Sequence, residues 1–93
     1  MRYIVCYDIE DDRLRHRVAA ILSAYGNRVQ QSVFECQLSQ TAFRELREQL
    51  ERRCELGARD SIRIYPVCGD CSRKSLGMGN LAASRLRVAY IHL

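Results

Sequence analysis

Long apolar segments and targeting signals are missing from this sequence of 93 residues. No apolar run approaches the roughly 18 residues that a helix needs to span a bilayer, and the N-terminus leads directly into a strand-like pattern without a signal peptide. Internal repeats, linkers and low-complexity tracts are missing as well, while 47% of the residues are hydrophobic, which argues against disorder. We therefore expect a single folded domain over residues 1–93, located in the cytoplasm and without a membrane segment.

A complete metal-binding cysteine motif is also lacking. Among five cysteines, only Cys68 and Cys71 have the CxxC spacing, and a structural zinc site needs four ligands. A labile disulfide or a pair of inactive thiols is therefore favoured over zinc, which stays the weaker alternative. The other three lie in segments with apolar periodicity, which is typical of free buried thiols: Cys6, Cys36 and Cys54.

Lysine is nearly absent, since Lys74 is the single lysine beside 14 arginines. Arginine binds phosphate in a bidentate manner better than lysine does. The net charge is +4, and the positive surplus is C-terminal, because residues 59–93 carry five arginines and one lysine against Asp60 and Asp70. Two interpretations stay open at this point: a phosphate-bearing partner and a compositional bias of the genome.

The hydrophobic periodicity predicts the element order β-α-β-β-α-β, followed by a further C-terminal strand. Asp11 or Asp12 and Ser39 are suited to cap the two helix N-termini, whereas Gly26 and Gly57 are suited to end the helices. The predicted strands cover residues 2–9, 28–31, 33–38, 61–67 and 86–93, with one long bent strand as the alternative over 28–38. The stretch 68–80 has a loop-like composition.

This order favours an α+β fold of the ferredoxin-like type, in which two helices cover one face of an antiparallel sheet. Alternation in the first strand places Tyr3 and Val5 on one face and Ile4 and Cys6 on the other, so one apolar face would be left bare. We expect a second subunit to cover it, which predicts a homodimer packed through the sheets. The C-terminal strand, residues 85–93, is expected to be exchanged with or paired to the partner protomer.

The first predicted strand ends on a carboxylate, Asp8. Ligands and metals commonly bind at such strand ends, yet an aspartate between a strand and a helix often only forms a turn or a cap. The sequence pattern leaves both roles open for Asp8. Asp11 and Asp12, which follow it, are better suited to helix capping than to catalysis.

Several stretches of the sequence form a pattern with a fixed order and spacing. They are Val5–Ile9 (VCYDI), Asp11–Arg13 with Arg15 and Arg17, Gly26 with Arg28–Cys36 (RVQQSVFEC), and Asp60–Pro66 (DSIRIYP). Together they closely resemble the Cas2 family of CRISPR-associated endoribonucleases, which partner the integrase in spacer acquisition. The resemblance covers residues 1–67 and is weak beyond them. One departure is Gln31, where the family usually has an aromatic residue.

The resemblance implies a homodimer whose C-terminal strand crosses to the partner, with magnesium-dependent cleavage of single-stranded RNA or double-stranded DNA. It also implies a scaffold role in antiviral defence, in which the dimer holds DNA between integrase dimers. Asp8 is implied as the metal-binding and catalytic carboxylate. The other positions implied in activity or nucleic-acid contact are Tyr7, Arg15, Arg17, Arg28 and Phe34.

A single Asp8 is a poor magnesium site, because Mg²⁺ takes octahedral oxygen coordination and usually binds one or two carboxylates together with phosphates and water. A two-fold axis near the ends of the first strands would bring two copies of Asp8 together. The predicted chemistry therefore depends on the dimer. Two alternatives stay open: a non-catalytic nucleic-acid-binding scaffold for the integrase, and a toxin-type ribonuclease of the same fold.

Overall fold

The computed structural model describes residues 1–80 and 89–90 of the chain. It confirms the predicted α+β class. Within the described ranges, no helix is both long and apolar enough to cross a membrane. The elements are β1 (Arg2–Asp8), α1 (Asp12–Ser23), β2 (Asn27–Gln30), β3 (Val33–Gln37), α2 (Gln40–Arg53), β4 (Ser61–Val67), α3 (Gly69–Arg73), β5 (Leu76–Gly77) and β6 (Ala89–Tyr90).

The main sheet has four antiparallel strands in the order β2-β3-β1-β4. Strand β3 is inserted between β1 and β2, the two strands that α1 connects, which is the split βαβ arrangement of ferredoxin-like folds. The central strand β1 is paired along both edges, with Val5 opposite Phe34 on β3 and opposite Ile64 on β4. Its C-terminal residue Asp8 is thereby held at a fixed position.

Helices α1 and α2 begin at residues that the sequence marks as caps. The Asp11 carboxylate accepts a hydrogen bond from the Leu14 amide at 2.8 Å, and the Ser39 hydroxyl accepts one from the Ala42 amide at 3.1 Å. Helix α1 ends at Ser23.

Beyond the end of α1, the chain passes β3 so closely that a Cβ at Gly26 would collide with the Glu35 carbonyl oxygen. Helix α2 ends at Arg53, not at the predicted Gly57, because Cys54 turns into extended backbone and is buried.

The core lies between the helices and one face of the sheet. Its side chains come from alternate positions of the strands and from one stripe of each helix, as the periodicity predicts. Tyr3 and Phe43 stack with parallel rings and centroids 4.4 Å apart, which joins β1 to α2. The fully buried side chains are Val5, Val18, Leu22, Phe34, Cys36 and Leu46.

The opposite face of the sheet has no helix over it among the described elements. Ile4 and Cys6 of β1 are half-buried there, and Tyr65, opposite Ile4 on β4, is 48% exposed. Glu35 and Arg63 place charges beside these apolar groups. The prediction of an open, partly apolar face is confirmed, and the second subunit that would cover it stays a prediction.

The segment after β4 is more ordered than its loop-like composition indicates, so that prediction is wrong for residues 69–73. An amide-to-carbonyl hydrogen bond of 2.8 Å from Ser72 to Cys68 closes a helical turn, and Arg73 forms an ion pair with Asp70 across it. Strand β5 pairs in parallel with β6. The rest of the predicted strand over residues 85–93 lies outside the described residues.

Candidate functional site

Asp8 occupies the C-terminal end of β1, where it pairs in register with Ser61 of β4. The side chain is exposed and borders a shallow depression of about 230 Å³, which is lined by Cys6, Tyr7, Asp8, Ser61 and Arg63. Within the described part of the chain, the carboxylate of Asp8 takes part in no hydrogen bond or ion pair. The helix cap is supplied by Asp11 instead. The structural alternative for Asp8, a cap or turn residue, therefore loses its main support.

Arg63 lies on the open face of the sheet and lines the same depression as Asp8. It lies opposite Cys6 in the strand register, two positions from Ser61 and on the same face as Asp8. Its guanidinium donates to the hydroxyl of Tyr65 at 3.4 Å and has no carboxylate partner among the described residues. An exposed guanidinium without an acidic partner is free to bind phosphate. Alternation in the strand Ser61–Val67 is the sequence signal that could have identified it.

Arg15 fixes the turn that follows Asp8. Its Nη1 atom donates to the carbonyl oxygens of Ile9 and Glu10 at 3.0 and 3.2 Å, and its Nη2 atom pairs with Asp12. The side chain keeps a third of its surface exposed. The structure thus gives Arg15 a positioning role for the turn, and the exposed part leaves room for a phosphate contact as well.

Asp60 holds the same turn from the other side. One of its carboxylate oxygens accepts from the Glu10 amide at 3.3 Å, and the other accepts from the Gly57 amide at 2.8 Å. Because Asp60 precedes Ser61, it connects the start of β4 to the end of β1. Its position in the chain gives no hint of this contact, which spans 50 residues.

Tyr7, Arg28 and Phe34 come together on the helix-covered side of the sheet. Tyr7 is 5% exposed and Phe34 has no exposed surface, whereas Arg28 is exposed on the edge strand β2. The Arg28 guanidinium lies 5.4 Å from the Phe34 ring centroid and donates to the Tyr7 hydroxyl at 3.4 Å. The Tyr7 hydroxyl in turn donates to the Gln31 carbonyl oxygen at 3.2 Å.

The role in activity or nucleic-acid contact expected of Phe34 stays a prediction. Because its side chain has no exposed surface, Phe34 would act through its neighbours. Phe34 and Tyr7 hold Arg28 through a cation–π contact and a hydrogen bond. Arg28 is the member of the cluster that faces solvent. The cluster therefore presents one exposed guanidinium that is supported by two buried aromatic rings.

Arg17 lies apart from both groups. Its guanidinium donates to the carbonyl oxygen of Arg53 at 3.1 Å, which satisfies a backbone acceptor at the C-terminal end of α2. The predicted site residues are thus distributed over three places: the open face with Asp8, the edge strand with Arg28, and the junction of the two helices with Arg17.

The donor set at Asp8 fits magnesium only in part. No group of three or more histidine, cysteine, aspartate or glutamate side chains in residues 1–80 and 89–90 is arranged to hold a metal ion. Asp8 does offer an exposed carboxylate that is not engaged elsewhere, and Mg²⁺ often keeps several waters and binds substrate phosphate in addition to one or two carboxylates. One chain therefore provides one ligand, and a second copy of Asp8 would provide the other.

Comparison with known proteins agrees with the fold. Over 67 residues the chain is 49% identical to CRISPR-associated endoribonuclease Cas2 3 of Synechocystis, covering 72% of each chain. It is 46% identical over 83 residues to CRISPR-associated endonuclease Cas2 2 of Thermus thermophilus, covering 89% of each. The crystal structure of Streptococcus pyogenes Cas2 at pH 6.5 is similar with a TM-score of 0.64 and 31% identity, covering 73% of this chain and 87% of that one. Residues 1–75 match the family described as CRISPR associated protein Cas2, and the chain belongs to that family.

Proposed function

We propose that the protein is a metal-dependent endonuclease of CRISPR spacer acquisition, cleaving phosphodiester bonds in single-stranded RNA or double-stranded DNA, with Asp8 as its catalytic carboxylate. The observation that carries the proposal is the exposed, unengaged carboxylate of Asp8 in one depression with Arg63. The relatives named endoribonuclease and endonuclease support the reaction class.

The active unit is a homodimer formed through the open face of the sheet. Asp8 shares this face with Ile4 and Cys6, so the surface that needs covering is also the surface that presents the carboxylate. A two-fold axis near the end of β1 places two copies of Asp8 together. The two Asp8 carboxylates would hold Mg²⁺, which would supply polarisation of a phosphate oxygen and a lowered pKa of a bound water.

The protein's own side chains hold the substrate and the turn. Arg63 binds a phosphate beside Asp8, and Arg28 binds a second phosphate at the sheet edge, supported by its aromatic neighbours. Arg15 and Asp60 fix the backbone after Asp8, so the carboxylate keeps its position at the strand end. Two carboxylates brought together without a cation repel each other, so the paired Asp8 side chains would depend on a bound cation for their order.

A non-catalytic scaffold for the integrase is the second candidate function. It is favoured by the lone carboxylate, since residues 1–80 and 89–90 contain no acidic or histidine cluster that would complete a metal site in one chain. The net charge of +4 would still support nucleic-acid binding. A toxin-type ribonuclease of the same fold is a more distant candidate, and neighbouring genes for an integrase or an antitoxin distinguish it.

One experiment on Asp8→Asn distinguishes the nuclease from the non-catalytic scaffold. Wild type and variant are incubated with labelled RNA and DNA, with magnesium and with a chelator. We expect cleavage to fall at least about 100-fold in the variant, because a charge-stabilising group at the reacting phosphate is lost. The matched control is Asp70→Asn, which removes an exposed carboxylate of α3 that pairs with Arg73. Cleavage that persists in a carefully purified Asp8→Asn protein would leave the scaffold as the function.

The predicted exchange of the C-terminal strand is tested by removing residues 85–93. We expect the truncated protein to dimerise more weakly in sedimentation equilibrium, since a strand shared between protomers adds backbone hydrogen bonds to the interface. An unchanged dimer dissociation constant would show that the interface uses the sheet face alone.

A further inference from the structure

The five cysteines fall into two groups with different surroundings. Cys36 and Cys54 are buried, and Cys6 is half-buried on the open face of the sheet. Cys68 and Cys71 are exposed, both as free thiols. They belong to neither the Asp8 depression nor the Arg28 cluster, so the proposed nuclease chemistry does not use them.

Backbone geometry brings the two exposed thiols together. The hydrogen bond from the Ser72 amide to the Cys68 carbonyl closes one helical turn over residues 68–72 at 2.8 Å. Side chains three residues apart on a helical turn have Cβ atoms about 5–6 Å apart, and a disulfide needs about 3.5–4.5 Å. A small adjustment of this single exposed turn therefore suffices to join the two sulfur atoms.

The two thiols are also different in acidity. The pKa of Cys68 is lowered, first by hydrogen bonding from the Cys71 backbone N–H and then from the Cys71 thiol. The pKa of Cys71 is raised by the same hydrogen bond to the Cys68 sulfur. By contrast, burial raises the pKa of Cys36 to about 11. Cys68 is thus suited to attack as a thiolate while Cys71 keeps its proton until the second step.

We propose that Cys68 and Cys71 form a redox-active dithiol, a modification site that a low-molecular-weight disulfide of the glutathione type oxidises reversibly to an intramolecular disulfide. The Cys68 thiolate attacks one sulfur of the oxidant, which forms a mixed disulfide and releases one thiolate. Cys71 then loses its proton and attacks the Cys68 sulfur, which releases the second thiolate. Two protein thiols are oxidised, one disulfide is reduced to two thiols, and excess reduced thiol reverses both steps.

This site is independent of the nuclease proposal, because it shares no residue with the Asp8 depression or the Arg28 cluster. It also differs from a zinc site. Two sulfur ligands fill half of the tetrahedral coordination that zinc takes in structural sites, and no third ligand joins them within residues 1–80 and 89–90.

The test uses the full chain in its reduced form. The protein is incubated with oxidised glutathione, quenched with a thiol-alkylating reagent and analysed by intact mass and peptide mapping. We expect a loss of two hydrogens at the peptide carrying Cys68 and Cys71, with Cys36 and Cys54 still alkylated in the denatured sample. Excess dithiothreitol should restore both thiols.

Two variants separate the steps. In Cys71→Ser the reaction should stop at a glutathione adduct on Cys68. In Cys68→Ser no disulfide can form between the two positions, and a glutathione adduct should form more slowly than in Cys71→Ser. Cys6→Ser is the matched control for the thiol chemistry, and its Cys68–Cys71 pair should be oxidised at the wild-type rate. In the native protein, Cys68 should be alkylated faster than Cys36, because Cys68 is exposed and its pKa is lowered, whereas Cys36 is buried and its pKa is raised to about 11.

Three outcomes would overturn the proposal. One is a wild-type protein that keeps all five thiols in oxidised glutathione, and another is a glutathione adduct that never resolves to the disulfide. The third is a protein purified with zinc bound by these cysteines and resistant to oxidation until the zinc is removed.

Discussion

The two faces of the four-stranded sheet differ in how deeply their side chains are buried and in how many polar partners they have. On the helix-covered face, Val5 and Phe34 are fully buried, and even the Tyr7 hydroxyl has hydrogen-bond partners. On the open face, Asp8 has no polar partner in the described part of the chain, and Arg63 has a single neutral one. Successive residues of β1 serve the two faces in alternation. Stability is thus concentrated on one face, and unengaged charge on the other.

The largest expected effect is the loss of stability in Phe34→Ala, which removes packing on the helix-covered face of the sheet. Removing a fully buried aromatic ring leaves a cavity and should lower the free energy of unfolding by about 3–5 kcal/mol. Urea denaturation monitored by circular dichroism measures this. Tyr65→Ala on the open face is the control, since a ring that is 48% exposed should cost much less. Equal losses for the two variants would contradict the assignment of the core to one face.

A smaller effect, on binding and not on stability, is expected for Arg63→Gln on the open face. The logarithm of the association constant for nucleic acid falls with the logarithm of salt concentration, with a slope of about −0.9 per phosphate contact for duplex DNA and about −0.7 for single strands. The variant should lose one such unit of slope per binding protomer in magnesium-free titrations. Arg52→Gln, which removes an arginine paired with Glu48 on α2, is the matched control. An unchanged slope for Arg63→Gln would remove Arg63 from the phosphate path.

The smallest expected effects on stability distinguish two aspartates that lie three positions apart, Asp8 and Asp11. Asp11→Ala should lower the free energy of unfolding by about 1 kcal/mol, because the Leu14 amide loses its cap. Asp8→Ala should leave the stability of the monomer unchanged within about 0.5 kcal/mol, because no described group depends on its carboxylate. Both values are measured by denaturant titration at a protein concentration at which sedimentation shows a monomer. A large loss for Asp8→Ala would return that residue to a structural role.

Patterns local in sequence predicted most of the fold. Alternation located the strands and assigned Tyr3 and Val5 to one face, and the helical stripe located α1 and α2. Capping chemistry marked Asp11 and Ser39, since a cap needs only a residue and an amide three positions later. The short helix α3 was missed, because a helix of 5 residues leaves almost no periodic signal.

For the candidate site, the sequence pointed to Asp8 but not to the contacts of the residues around it. Asp8 was identified from its place at the end of an apolar run and from the family resemblance. The contacts that decide the other roles are long-range. Arg28 reaches Tyr7 across 21 residues and Arg17 reaches the end of α2 across 36 residues. Such pairs depend on the strand register and on how the helices lie, which no single segment of sequence specifies.

The claim that Asp8 acts as half of a two-fold metal site is tested most directly by counting bound metal. Calorimetric titration of the protein with Mg²⁺ in the presence of an oligonucleotide, for wild type and Asp8→Asn, gives the number of ions per chain. One ion per two chains in wild type, and none at this site in Asp8→Asn, is the predicted result. One ion per chain, or the same binding in both proteins, would contradict a site shared by the two copies of Asp8.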